Sequence, residues 1–234
     1  DGTDTFANVE FLKFSDQIIS IPASPTNLQA IASGRQLTIS GTAAVSNTSS
    51  NIMVKGGYGS FTVSDNNQLH TEVSIQGSTS GVRRLDLSGV TGAGAYVSWA
   101  ADYDRAVSGS ARADTISFYH YGNNTASGGR GDDLIFGALG NDTLSGQQGA
   151  DRLDGREGND FLTGGRGNDT IDGGEGSDTL VFYGARADYE ISIVNGSYVI
   201  SHTGGTGRDG TDTFANVEFL KFSDQIVAIE DIFV

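Results

Sequence analysis

The chain has 234 residues, no Cys, two Pro, 34 Gly and a formal net charge of −15. Such a charge makes phosphate backbones poor partners, so nucleic-acid binding is not expected, whereas carboxylate and carbonyl oxygens suit divalent cations. Without Cys there is no disulfide and no thiolate metal site, and no apolar run approaches the roughly 18 residues of a transmembrane segment.

The first residues, DGTDTFANVEFLKFSDQI (Asp1–Ile18), recur unchanged at Asp209–Ile226. The simplest reading is a parent protein of tandem units. Residues 1–20 then end a preceding unit, and the chain is an excised fragment whose lack of a signal peptide means little. Pro22 and Pro25 mark a linker. Over residues 21–108, short β-type runs follow at Gln36–Ser40, Asn51–Val54, Ser60–Ser64, Thr71–Ile75, Arg84–Leu87 and Ala95–Trp99, with breaks rich in Gly, Ser and Asn. These fit irregular solenoid coils or a β-sandwich. Coils are favoured, because no proline or long linker separates Trp99 from the regular turns that follow.

Tyr96, Trp99, Tyr103, Phe118, Tyr119 and Tyr121 cluster along the chain. They offer a sugar-stacking platform, or, in the favoured reading, packing where irregular coils meet regular ones. Asp102 and Asp104 form an acidic pair that a solvated loop explains as well as glycosidase chemistry does. His70, His120 and His202 are isolated, and no HExxH, GxSxG or phosphate-loop motif is present, so the fragment is not expected to be an enzyme.

From Gly128 the chain reads GGRGDDLIF, GALGNDTLS, GQQGADRLD, GREGNDFLT, GGRGNDTID, GGEGSDTLV. Position 4 is always Gly (Gly131, Gly140, Gly149, Gly158, Gly167, Gly176) and position 6 always Asp (Asp133, Asp142, Asp151, Asp160, Asp169, Asp178). Position 1 is Gly throughout, and position 8 is always aliphatic. Six residues make a turn and three a short strand. Gly at 1 and 4 permits positive φ and close backbone approach, turning carbonyls toward one point. The Asp adds a hard anionic oxygen, and the aliphatic faces a narrow core. Two nonapeptides close one coil, so loops stack on two sides: Asp133, Asp151 and Asp169 on one, Asp142, Asp160 and Asp178 on the other. A cation between stacked loops would take an Asp and carbonyls from each, at spacings that suit Ca²⁺ better than Mg²⁺. Two rows of sites give at least four Ca²⁺ ions. Eleven acidic and four basic side chains over 128–181 leave a net of −7, so metal binding and folding are coupled.

The pattern resembles the repeats-in-toxin (RTX) family of secreted bacterial proteins, with its nonapeptide GGxGxDxUx. The resemblance implies an all-β fold, a right-handed parallel β-roll, a β-solenoid with calcium in its loops. The second Gly of the motif, present at Gly129, Gly165 and Gly174, joins the implied ligand set; Ala138, Gln147 and Arg156 replace it elsewhere and leave its carbonyl available. The resemblance also implies export by type I secretion machinery from a Gram-negative bacterium, to the extracellular medium or the cell surface. A polysaccharide or a cell surface is a further partner to be tested. Two readings of the parent follow: a structural or adhesive unit, or the accessory C-terminal domain of a secreted carbohydrate-active or hydrolytic enzyme.

The roll is taken as 109–182. Its first turns are degenerate: GSARADTIS keeps Asp114 at position 6, and Tyr119–Ser127 carries Asn124 there. Residues 183–234 read as a capping hairpin and tail. Tyr189–Val194 and Ser197–His202 alternate around Asn195-Gly196, a type I′ turn signal. GRDGTDTFA then repeats the calcium-turn pattern with Asp212 at position 6, either as a plain cap or as a further site. The terminal EDIFV reads as a secretion signal or as a last strand.

Overall fold

The computed structural model describes residues 104–205 and 209–233 in full, Arg84–Ser88, Val97 and Trp99 with their side chains, and the backbone of the strands between Asp4 and Ala100. The linker at Pro22 and Pro25, His70, Asp102, Tyr103 and Val234 lie outside the described residues.

Two facing sheets build the molecule. In the first, Ala106–Ser108, Thr125–Arg130, Thr143–Gln148, Phe161–Arg166, Thr179–Val181 and Phe219–Lys221 run parallel in that order. In the second, Thr115–Tyr119, Leu134–Phe136, Arg152–Asp154, Thr170–Asp172 and Thr211–Ala215 do the same. The register step is 18 residues, as Leu144↔Leu162 and Ile135↔Leu153 show, so two nonapeptides make one coil of a parallel β-solenoid. Period 2 within each short strand sends position 8 inward. Ile135, Leu144, Leu153, Leu162, Ile171 and Leu180 are all buried, in one apolar core with Leu85, Val97, Trp99, Ile116 and Phe118 at one end and Phe214 and Leu220 at the other.

Upstream, both sheets continue. Arg84–Thr91 pairs in parallel with Ala106–Ser108 and with Gln36–Thr42, and Gly94–Ala100 with Thr115–Tyr119 and with Asn51–Gly57. Antiparallel hairpins are added outside them: Gln29–Ser33 on Gln36–Thr42, and Asn51–Gly57, Ser60–Asp65 and Val73–Gly77 in succession. The aromatic cluster is divided. Trp99 and Phe118 belong to the core, Arg105 lies over the Trp99 ring, and Tyr119 and Tyr121 remain at the surface.

Downstream, the expected hairpin forms with Asn195 at φ 52° and Gly196 at φ 84°, as a type I′ turn requires. It sits within the solenoid path rather than after it. Thr211–Ala215 pairs with Thr170–Asp172 and Phe219–Lys221 with Thr179–Val181, so the hairpin is inserted between two coil strands. Phe182, Tyr189 and Phe222 pack ring on ring beneath it. The last residues form a 3-10 turn at Ile229–Asp231, not a strand, and Phe233 stacks beside Tyr198.

The identical termini fold alike locally. Phe11–Lys13 pairs antiparallel with Gln17–Ser20 in the register that joins Phe219–Lys221 to Ile226–Ala228.

Candidate metal-binding loops

Each loop must bring an Asp back to the coil axis within five residues of its first Gly, and three glycine positions make that path open. Position 4 requires positive φ: Gly131, Gly140, Gly149, Gly158, Gly167 and Gly176 lie between 113° and 144°. A Cβ there would also collide with the carbonyl of the position-4 Gly one coil back, as at Gly149 against Gly131. Position 2 is positive at Gly129, Gly165 and Gly174, and also at Gln147 (78°) and Arg156 (76°), which follow the glycine path at some cost in strain. Position 1 departs from the sequence expectation. Gly128, Gly137, Gly146, Gly155, Gly164 and Gly173 are not among the positive-φ residues. They are glycine because the Asp carboxylate of the same loop occupies the space of a Cβ, for example Asp151 Oδ2 at Gly146.

The position-6 carboxylates form two inner ladders. In one, the backbone N–H groups of Asp114, Asp133, Asp151 and Asp169 donate to Oδ1 of Asp133, Asp151, Asp169 and Asp212, at 2.7–2.9 Å. In the other, the N–H groups of Asn124, Asp142 and Asp160 donate to Oδ1 of Asp142, Asp160 and Asp178, and the Asp178 N–H donates to Glu218 Oε2 at 2.7 Å. Oδ1 is thereby committed to the preceding coil. The other oxygen is not: Oδ2 of Asp133, Asp151, Asp160, Asp169 and Asp178 is buried with no hydrogen-bond partner. An orphaned carboxylate oxygen is costly unless a cation meets it. No three His, Cys, Asp or Glu gather among the described residues, so a cation at these atoms would draw its other ligands from main-chain carbonyls. Oxygen ligands of that kind fit calcium.

Three upstream loops are closed by protein donors. At Asp142, Oδ2 accepts the Ala138 N–H at 2.7 Å. At Asp114, the carboxylate accepts both the N–H and the hydroxyl of Ser110. Asn124 turns its amide into the loop, donating to the Gly122 carbonyl and to Asp142 Oδ1 at 3.1 Å each. An N–H group stands there where another loop presents a carboxylate oxygen.

Two features escaped the sequence reading. Position 5 builds an outer ladder, in which Asn123, Asn141 and Asn159 accept the N–H groups of Asn141, Asn159 and Ser177. Alternation of Asn with Asp, Ala and Ser at that position obscured it. Glu218 closes the second ladder from a loop three residues shorter than the rest, where the longer side chain makes up the reach; it breaks the nonapeptide period. His202 is not isolated either: it stacks on Tyr189, and the Asp209 carboxylate accepts the Tyr189 hydroxyl and pairs with His202.

Residues 120–153 and 145–180 match the family model of the RTX calcium-binding nonapeptide repeat, in four copies. Residues 120–180 are RTX calcium-binding repeats. Comparison with curated proteins returned no match. The RTX repeats make residues 120–180 a calcium-binding structural module, and four copies suggest several ions.

Burial pushes the ladder carboxylates up from 3.8: Asp133 and Asp212 to about 8, Asp151 and Asp160 to about 7, Asp169 to about 6, with the coil-to-coil N–H bond opposing the shift. The metal-free folded state therefore holds more protons than the unfolded chain. Its stabilising contribution is full below about pH 4 and is lost as pH rises through 6–8. In chelator, the folded fraction is expected to fall from pH 5 to pH 8. With saturating calcium, which competes with protons for the same oxygens, that fall should vanish or reverse. A metal-free folded fraction that rises with pH would contradict the assignment of these carboxylates as desolvated.

Proposed function

We propose that this chain is a calcium-stiffened unit of a secreted or surface-attached bacterial protein, exported unfolded by type I secretion machinery and folded by extracellular calcium, with an adhesive role. The five orphaned Oδ2 atoms carry this reading. Each is assigned one ion: Asp133, Asp151 and Asp169 in one row, Asp160 and Asp178 in the other. Main-chain carbonyls complete the sites, including those of the glycines at positions 2 and 4. Asp142, Asn124 and Asp212 take lesser parts, the first two because protein N–H groups already serve their loops. The tandem-unit reading draws on the repeated Asp1–Ile18 sequence and on its shared hairpin register.

Native mass spectrometry in calcium tests the assignment. Five bound ions are expected, and fewer than three would contradict the two-row arrangement. A crystal structure with calcium would then place them.

A further inference from the structure

Where the inserted hairpin meets the first sheet, a cavity of about 540 Å³ opens to solvent. Ser145, Thr163, Gln148 and Arg166 line it from two adjacent coils, and Tyr183 and Asp209 from the cap. Tyr183 is 74% exposed. Among the described residues, the side chains of Arg166 and Gln148 have no hydrogen-bond or ionic partner.

We infer that this groove binds a neutral saccharide chain, with the Tyr183 ring as the stacking surface and Arg166, Gln148 and Asp209 as hydrogen-bonding groups. A concave site with a few convergent polar groups is the usual form of a small-ligand site. Planar amide, guanidinium and carboxylate groups pair with vicinal hydroxyls, and an exposed aromatic ring offers an apolar face with a polar tip. Other ligands fit less well. A polyanion meets a chain of net charge −15 and the Asp209 carboxylate in the lining. An extended peptide has only a short edge to join, because Thr143–Gln148 is paired on both sides and Phe161–Arg166 lacks a partner only over Thr163–Arg166, on the side of Thr179–Val181.

The inference gives the adhesive reading above a ligand and rests on it in that respect, but its test is separate. The ¹⁵N-labelled chain, in millimolar calcium, is titrated with cellohexaose, maltohexaose and mannohexaose, and its amide shifts are followed. At least one sugar should shift residues 145–148, 163–166 and 183–184 selectively. Tyr183→Ala and Arg166→Gln should each weaken that binding about tenfold while the calcium count stays unchanged. If none of the three sugars moves those amides at about 10 mM, or if both variants bind like the parent, the groove is not a saccharide site. A chain that binds no calcium would instead overturn the module reading.

Discussion

Leu153→Asp is expected to leave the roll unfolded even at saturating calcium. Leu153 is fully buried, between Ile135 and Ile171 in the second sheet. The core is only one inward side chain deep per strand, so no neighbour can move to admit water. The substitution forfeits about 1.5–3 kcal/mol of burial and adds a desolvated carboxylate costing several more. A domain with about 5–15 kcal/mol in total cannot absorb both. Circular dichroism in calcium checks this; a folded variant would mean that position 8 does not face the core as described.

Asp151→Ala and Asp160→Ala should weaken calcium-induced folding most. Each carboxylate serves two coils: Oδ1 accepts the N–H of the Asp one coil back, and Oδ2 is free for metal. Removing it orphans a buried N–H, at about 1–3 kcal/mol, as well as removing a ligand. Asp114→Ala should cost less, because Ser110 already occupies that carboxylate. The calcium midpoints of Asp151→Ala and Asp160→Ala should lie about tenfold or more above that of Asp114→Ala, roughly 1.4 kcal/mol. Equal midpoints would contradict the stacked arrangement.

The regular part of this fold was legible because one short unit carries all its requirements. Gly131, Asp133 and Ile135 specify a left-handed turn, a returning carboxylate and an inward side chain within five residues, and each recurs every nine. The Asn195-Gly196 hairpin was legible for the same reason: its turn conformation is a local property of two residues. What depends on the next coil was not. Gly128 looked like a source of positive φ, but its role is to make room for the Asp133 carboxylate. Asp142 matched its neighbours in sequence, yet Ala138 turns an N–H onto it that the glycine path withholds elsewhere. The hairpin insertion hid the continuity of Asp169 with Asp212, which are 43 residues apart instead of 18. Glu218 was invisible to a nine-residue period because its loop is shorter.

We propose that calcium binding and folding are one event in the RTX repeats. Fifteen glycines between Gly128 and Val181 give the unfolded chain high entropy, at roughly 1–2 kcal/mol of backbone ordering per residue. One buried aliphatic per nine residues returns only about 1.5–3 kcal/mol, and each orphaned Oδ2 adds a penalty. Metal ligation relieves that penalty, which couples binding to folding. Hydrogen exchange on residues 128–181, with millimolar calcium and with chelator, measures this directly. Protection throughout the roll in calcium, with near-random-coil exchange in chelator at neutral pH, is the expected result. Strong protection of the same amides in chelator would contradict the claim and make calcium an addition to a fold already stable without it.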